Sequence, residues 1–175
     1  MGYTEVVSSV VEKHGWGIFY LHPYDVLSKV VKEFYAHITS LNNAFIYVCC
    51  ALVLFDKDSI NAQYGLSKGP DEHADFVKAM SPECLVQVLV DVCIEGTQWS
   101  ISRINCDTID RISLKPQCKI WYHFLKTHLI PSTPNATICK DRLLLLHSII
   151  VGRKINVGKI IFCEIRRCAQ RLLAH

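Results

Sequence analysis

The sequence predicts a mainly α protein: a single compact helical domain over residues 1–175, with a small β-hairpin near residues 45–55. Three observations carry that prediction. Half of the 175 residues are hydrophobic and a fifth are charged, a balance that fills one core and argues against disorder. Apolar residues recur at three- and four-residue steps through most of the chain, the period of a helix buried on one face. One stretch breaks that period. "FIYVCCALVLF", residues 45–55, is rich in β-branched and aromatic side chains and short for a helix.

Taken in order, residues 5–13 read as a short helix that stops at Gly15. After Pro23, Leu27, Val31, Phe34, Ile38 and Leu41 align on one helical face. The hairpin follows. Asp56 then caps a short helix ending near Gly65, and "GPDEHADF" turns into another. Ser81-Pro82-Glu83 is a helix start: a capping hydroxyl, a proline where no N–H is needed, and an acid at the positive end of the dipole. That helix runs to Gly96 and is apolar on most sides, which predicts a central position. Residues 97–113 read as a loop with one short strand. Pro116 opens a helix whose buried face is Ile120, Trp121, Phe124, Leu125 and Leu129. "IPSTPN" breaks the chain, and Thr137 caps a helix that passes through "LLLLHSII" to Gly152. A last helix follows Asn156, with Val157, Ile161, Ile165, Cys168 and Leu172 buried and Lys159, Arg166, Arg167 and Arg171 on its other side.

Several function classes lose support. The longest apolar runs, residues 44–55 and 143–151, fall short of the ~20 residues a membrane span needs. "MGYTEVVSSVVEKHG" has an acid where a signal peptide carries basic residues. Nine cysteines with no CxxC pair and no secretory signal predict a reduced, intracellular protein, nuclear or cytoplasmic, with no metal centre and no cofactor. Charge is distributed unevenly. Residues 111–175 carry twelve basic side chains and two acidic ones, and residues 1–110 carry seven and fourteen. Such a split is satisfied either within the fold or by a polyanion against the basic part. The candidate nucleic-acid-binding residues are Lys159, Arg166, Arg167, Arg171, Arg153 and Lys154.

"VGRKINVGKII", residues 151–161, approaches a phosphate-binding loop, whose form is G-x-x-x-x-G-K-[ST]. Gly152 and Gly158 enclose one residue too many, and Ile160 stands where a Mg²⁺-holding hydroxyl belongs. The extra residue redirects the N–H groups on which such a loop depends. A helix-ending Gly152 and a helix begun by Asn156 explain the same residues. No catalytic residue is assigned. His147 sits in an apolar helix as a hydrogen-bonded core histidine, and the acid pairs Asp56/Asp58 and Asp71/Glu72 flank helix starts, where they serve as caps.

The C-terminal third, "KIWYHFLKTHLIPSTPNATICKDRLLLLHSIIVGRKINVGKIIFCEI", resembles the signature region of the "putative plant transposon protein domain", found in or near plant LTR-retrotransposon reading frames. The matching positions are Trp121, Phe124, Leu129, Pro131, Arg142, Leu144, Ile155, Asn156, Val157, Gly158 and Ile161. "VVKEFYAHI", through Val31, Glu33, Phe34, Tyr35 and Ala36, and "SINAQYGL", through Ile60, Asn61, Tyr64, Gly65 and Leu66, extend the resemblance to roughly residues 16–170. Family members usually have Arg-Gly in the hairpin turn where this chain has Cys49-Cys50, and usually continue into a Phe-Pro-x-Leu-Ile segment. This chain therefore resembles a truncated, diverged copy. The resemblance implies no reaction and no catalytic residues. The expected function is a non-enzymatic module that binds RNA or DNA through its basic C-terminal helices. The alternative is a protein-interaction or assembly module whose partners are other retroelement proteins or a second copy. An element-encoded enzyme ranks last.

Overall fold

The computed structural model describes residues 11–12, 15–20, 26–38, 45–66, 69–101, 107–131 and 136–173. Among them are seven α-helices: α1 Ser28–His37, α2 Lys57–Gln63, α3 Glu72–Lys78, α4 Pro82–Val92, α5 Pro116–Phe124, α6 Lys140–Val151 and α7 Val157–Leu173. Two small antiparallel sheets accompany them. One is the hairpin of β1 (Phe45–Val48) and β2 (Ala51–Leu54), in the register Phe45–Leu54 to Val48–Ala51. The other has the order β3 (Ser100–Ile101), β4 (Asp107–Asp110), β5 (Thr137–Cys139). The protein is mainly α, with the hairpin where the sequence places it. The helix expected over residues 5–13 falls outside the described residues except at Val11 and Glu12, and so does Leu41.

The chain divides into two compact units. The first comprises Met1–His14 and Gly69–Ile155, the second Gly15–Lys68 and Asn156–His175.

In the first unit α6 is the centre. Seven consecutive residues, Leu143 to Ile149, are buried, and α3, α4, α5, β4 and β5 pack around them. The sequence expectation put α4 in that position. It buries only Val88, Leu89 and Val92, leaving Val86 and Val90 exposed, because a helix packed on one side hides one stripe however apolar the rest is. Its start is as expected: the Ser81 hydroxyl accepts from the Cys84 N–H at 3.3 Å, with Pro82 at the first helical position. It ends at Val92 instead of running to Gly96. There Cys93 pairs with Leu114, the Ile94 N–H donates to the Ser113 carbonyl, and the Lys115 ammonium takes the carbonyls of Val90 and Asp91 at 2.7 and 3.1 Å. Residues 97–113 hold β3, β4 and a 3₁₀ turn, Arg111–Ser113. Thr137 does not cap α6. It begins β5, and Cys139 precedes the helix without a side-chain cap bond. The α5 face holds as read: Trp121, Phe124, Leu125 and Leu129 are buried, with the Trp121 and Phe124 rings 5.7 Å apart at 78°. Ile120 is only half-buried, and α5 passes into a π-helical turn at Leu125–Leu129.

The second unit packs α1, the hairpin, α2 and α7. Ile38, Ile46, Val48, Phe55 and Ala169 form its core, with Val30, Phe34, Tyr35, Ile60, Phe162 and Ile165 against them. Phe55 stands edge-on to Phe34 at 5.2 Å and meets Phe162 at 5.1 Å. Asp56 caps α2 through the Ser59 N–H at 2.7 Å, and Gly65 follows its end at φ +64°. Two expected faces hold in part: Phe34 and Ile38 on the first, and Val157 and Ile165 on the second, are inward as read. On α1, Leu27 and Val31 are exposed, and the buried stripe is Val30, Phe34 and Ile38. On α7, Cys168 is exposed, and Phe162, Ile165 and Ala169 turn inward. The steps of four, three and four from Gly158 explain the second case: they keep a stripe of small side chains at each end facing α2 and the core.

Candidate nucleic-acid interface

The near-loop resolves into two helix ends. Gly152 closes α6 in the left-handed region at φ +78°, with its N–H bonded to the Ile149 carbonyl and the Arg153 N–H to the Ser148 carbonyl, the paired bonds of a Schellman motif. Asn156 opens α7. Its Oδ1 accepts from the Lys159 N–H at 2.9 Å and from the Asn61 Nδ2 at 2.9 Å. Asn61 Oδ1 in turn accepts from the Gly158 N–H at 2.8 Å, and Asn61 is 1% exposed. The N–H groups that a phosphate loop would aim at oxygen are thus taken by two asparagines. Gly158 serves close approach. A Cβ there would lie 2.5 Å from Asn61 Oδ1, 2.7 Å from Asn61 Cγ, and closer still to the Lys57 carbonyl oxygen. The motifs "SINAQYGL" and "INVGKI", almost a hundred residues apart, are two halves of one buried polar clasp between α2 and α7.

The clasp sets how α7 presents its cations. Lys159 and Arg166 are partly exposed, and Arg167 and Arg171 are exposed. Arg167 pairs with Glu164 at 2.5 Å, one turn back on the same helix. The Arg166 guanidinium lies 5.1 Å from the centroid of the Phe162 ring, also on α7. Arg171 makes no ion pair among the described residues. Among the described residues of the second unit, no ion pair joins any of the three arginines to an acid outside α7.

Arg153 and Lys154 belong to the first unit. Arg153 lies 3.8 Å over the Phe76 ring and donates from Nη1 to His147 Nδ1 at 3.0 Å. The Lys154 backbone N–H donates to Glu72 Oε2 at 2.8 Å, and its carbonyl accepts from the His73 N–H at 3.1 Å. Arg153 is thus committed to the fold, whereas the Lys154 side chain is exposed. His147 is a satisfied core histidine. It is 4% exposed, and its Nε2 lies 2.8 Å from Asp91 Oδ2. Because a guanidinium only donates, Nδ1 is the acceptor and the ring proton sits on Nε2 toward Asp91. Burial lowers the His147 pKa, and Arg153 adds to this against the pull of Asp91. Burial also pushes the Cys93 and Cys118 thiols up to about 11, so neither is a thiolate at neutral pH.

A family model described as "Putative plant retrotransposon-related domain" matches residues 12–175. The chain belongs to this family. Both halves of the clasp and all six candidate cations lie inside the retrotransposon-related domain. No curated protein matches the chain, and no solved structure does. Among the described residues of the domain, no group of three or more His, Cys, Asp or Glu side chains is placed to hold a metal ion. No helix among them is long and apolar enough to cross a membrane.

Proposed function

We propose that this retrotransposon-related domain is a non-enzymatic module that contacts the phosphates of RNA or DNA through α7, inside the cell, in the nucleus or cytoplasm. The observation that carries the reading is that α7 presents Arg167 and Arg171 exposed and Arg166 partly exposed. Arg171 is unpaired among the described residues, Arg167 has only a local partner, and Arg166 rests on its own helix's aromatic ring. A helix surface bearing several exposed cations attracts a polyanion with a strongly salt-dependent affinity and little sequence preference. The test is anisotropy of labelled single-stranded RNA and duplex DNA titrated with the full chain at low salt. Binding of both, weakening together as salt rises, supports the reading; no binding of either removes it.

One observation favours the second reading, an assembly module. The outer face of the hairpin is Phe45, Leu54, Tyr47 and Leu52, all exposed at 44–67%. A solvated antiparallel sheet normally carries polar residues on that face. The occupant that fits is a second copy, since two-fold packing sets each aromatic strand over the other copy's leucines. The face offers roughly 400 Å² per copy, about half of what a stable complex buries per partner. The dimer is therefore weak, and sedimentation that finds only monomer at high concentration excludes it.

A further inference from the structure

We propose that Arg111, Lys119, His123 and Lys126 form a second phosphate-binding site, in the first unit and separate from α7. These four side chains, with Ile112 and Tyr122, line a pocket of about 390 Å³, within the size range of small-ligand sites. Lys119, His123 and Lys126 stand four and three residues apart along α5 and the turn that continues it, so they form one stripe. The opposite side of that helix is buried through Trp121, Phe124, Leu125 and Leu129, which fixes the direction of the stripe. Arg111 comes from the 3₁₀ turn Arg111–Ser113, which the Arg111 N–H ties to the Ala136 carbonyl at 2.8 Å.

Charge makes this pocket unusual. Residues 111–140 contain no acid. Other cations of the unit are used by the fold: Lys115 holds the end of α4, Lys140 lies 3.6 Å from Asp107, and Arg153 lies on Phe76. Arg111, Lys119, His123 and Lys126 make no side-chain hydrogen bond or ion pair among the described residues. Arg111, Lys119 and Lys126 bring three like charges to one pocket, and a phosphate seated between them offsets their repulsion while accepting from several donors at once. The shared chemistry is a phosphate group, carried either by a nucleic-acid backbone or by a small phosphorylated molecule. In its nucleic-acid form the site deepens the reading above and rests on it; in its small-molecule form it does not.

The experiment uses the full chain and its Lys119→Gln/Lys126→Gln variant, which alters two surface side chains and leaves the core intact. Inorganic phosphate is titrated while the His123 ring signals are followed by NMR, and the salt dependence of binding to a single-stranded RNA is measured in parallel. For the unmodified chain the His123 signals shift to saturation, and the shift is lost in the variant. For RNA the logarithmic salt slope falls by about 1.4 in the variant, two contacts at about 0.7 each. A phosphate shift with an unchanged RNA slope, or with no RNA binding at all, assigns the site to a small phosphorylated ligand. No shift and no change of slope overturns the proposal, whatever α7 does.

Discussion

Replacing Gly158 by alanine tests the clasp, because two opposite effects compete at that position. Alanine is the better helix former, and in an open helix the change stabilises by about 0.8–1 kcal/mol. Here the added methyl group would sit 2.5 Å from Asn61 Oδ1 and closer to the Lys57 carbonyl, a backbone atom that cannot swing away. Relief requires α2 and α7 to separate. Overpacking of this kind costs about 1–3 kcal/mol. Separation also breaks the bond of the Gly158 N–H to Asn61 Oδ1, and an unsatisfied buried group costs about 1–3 kcal/mol. After subtracting the propensity gain, the expected loss is about 1–5 kcal/mol. Urea unfolding followed by circular dichroism reads it as a lower midpoint at an unchanged slope. A variant as stable as the parent, or more stable, would refute the close approach and with it the account of "INVGKI".

Three further outcomes follow from the same geometry. Phe124→Ala removes a ring that is 4% exposed and in contact with Trp121, and should cost about 3–5 kcal/mol in the same assay; a loss below about 1 would place it at the surface. Cys49 and Cys50 hold the hairpin turn at φ +50° and +63°, where a Cβ is strained by about 1–2 kcal/mol per residue. Cys50→Gly should therefore stabilise by about 0.5–1 kcal/mol after glycine's larger unfolded-state entropy is counted; destabilisation would show that Cys50 is not strained. His147 has a folded pKa below its unfolded ~6.5. Its neutral form is the one the fold accepts, so the unfolded chain binds the proton first and stability falls as pH drops below ~6.5. An NMR titration should place its midpoint below the unperturbed histidine value of ~6.5; a midpoint above it reverses the sign.

Local signals were legible in the sequence, and long-range ones were not. Asp56, Ser81-Pro82, Pro116 and Gly152 each mark a helix end through chemistry confined to one turn, and each holds in the structure. The hairpin was visible because its β-branched and aromatic run is continuous. The second sheet was not, because β3, β4 and β5 span two to four residues each and β5 joins β4 only across the intervening α5. The centrality of α6 over α4 is likewise decided by what packs around each, which apolar content does not encode. For the candidate interface, the four α7 cations could be placed on one side of a helix from spacing alone. Arg153 could not be recognised as structural without Phe76 and His147 beside it. Asn61 and Gly158 stood in recognisable motifs, yet nothing local says that residues so far apart bond to each other. The Arg111, Lys119, His123 and Lys126 pocket left one trace, the acid-free run from 111 to 140, but its convergence needed the 3₁₀ turn.

The central functional claim is that α7 meets nucleic-acid phosphates. The most direct measurement is the salt slope of RNA and DNA binding for the full chain beside its Arg166→Gln, Arg167→Gln, Arg171→Gln triple variant. Three lost contacts should flatten the logarithmic slope by about 2 on single-stranded RNA and about 2.7 on duplex DNA, alike for every sequence tried. An unmodified chain that binds neither at low salt, or a triple variant whose slope matches the parent's, contradicts the claim.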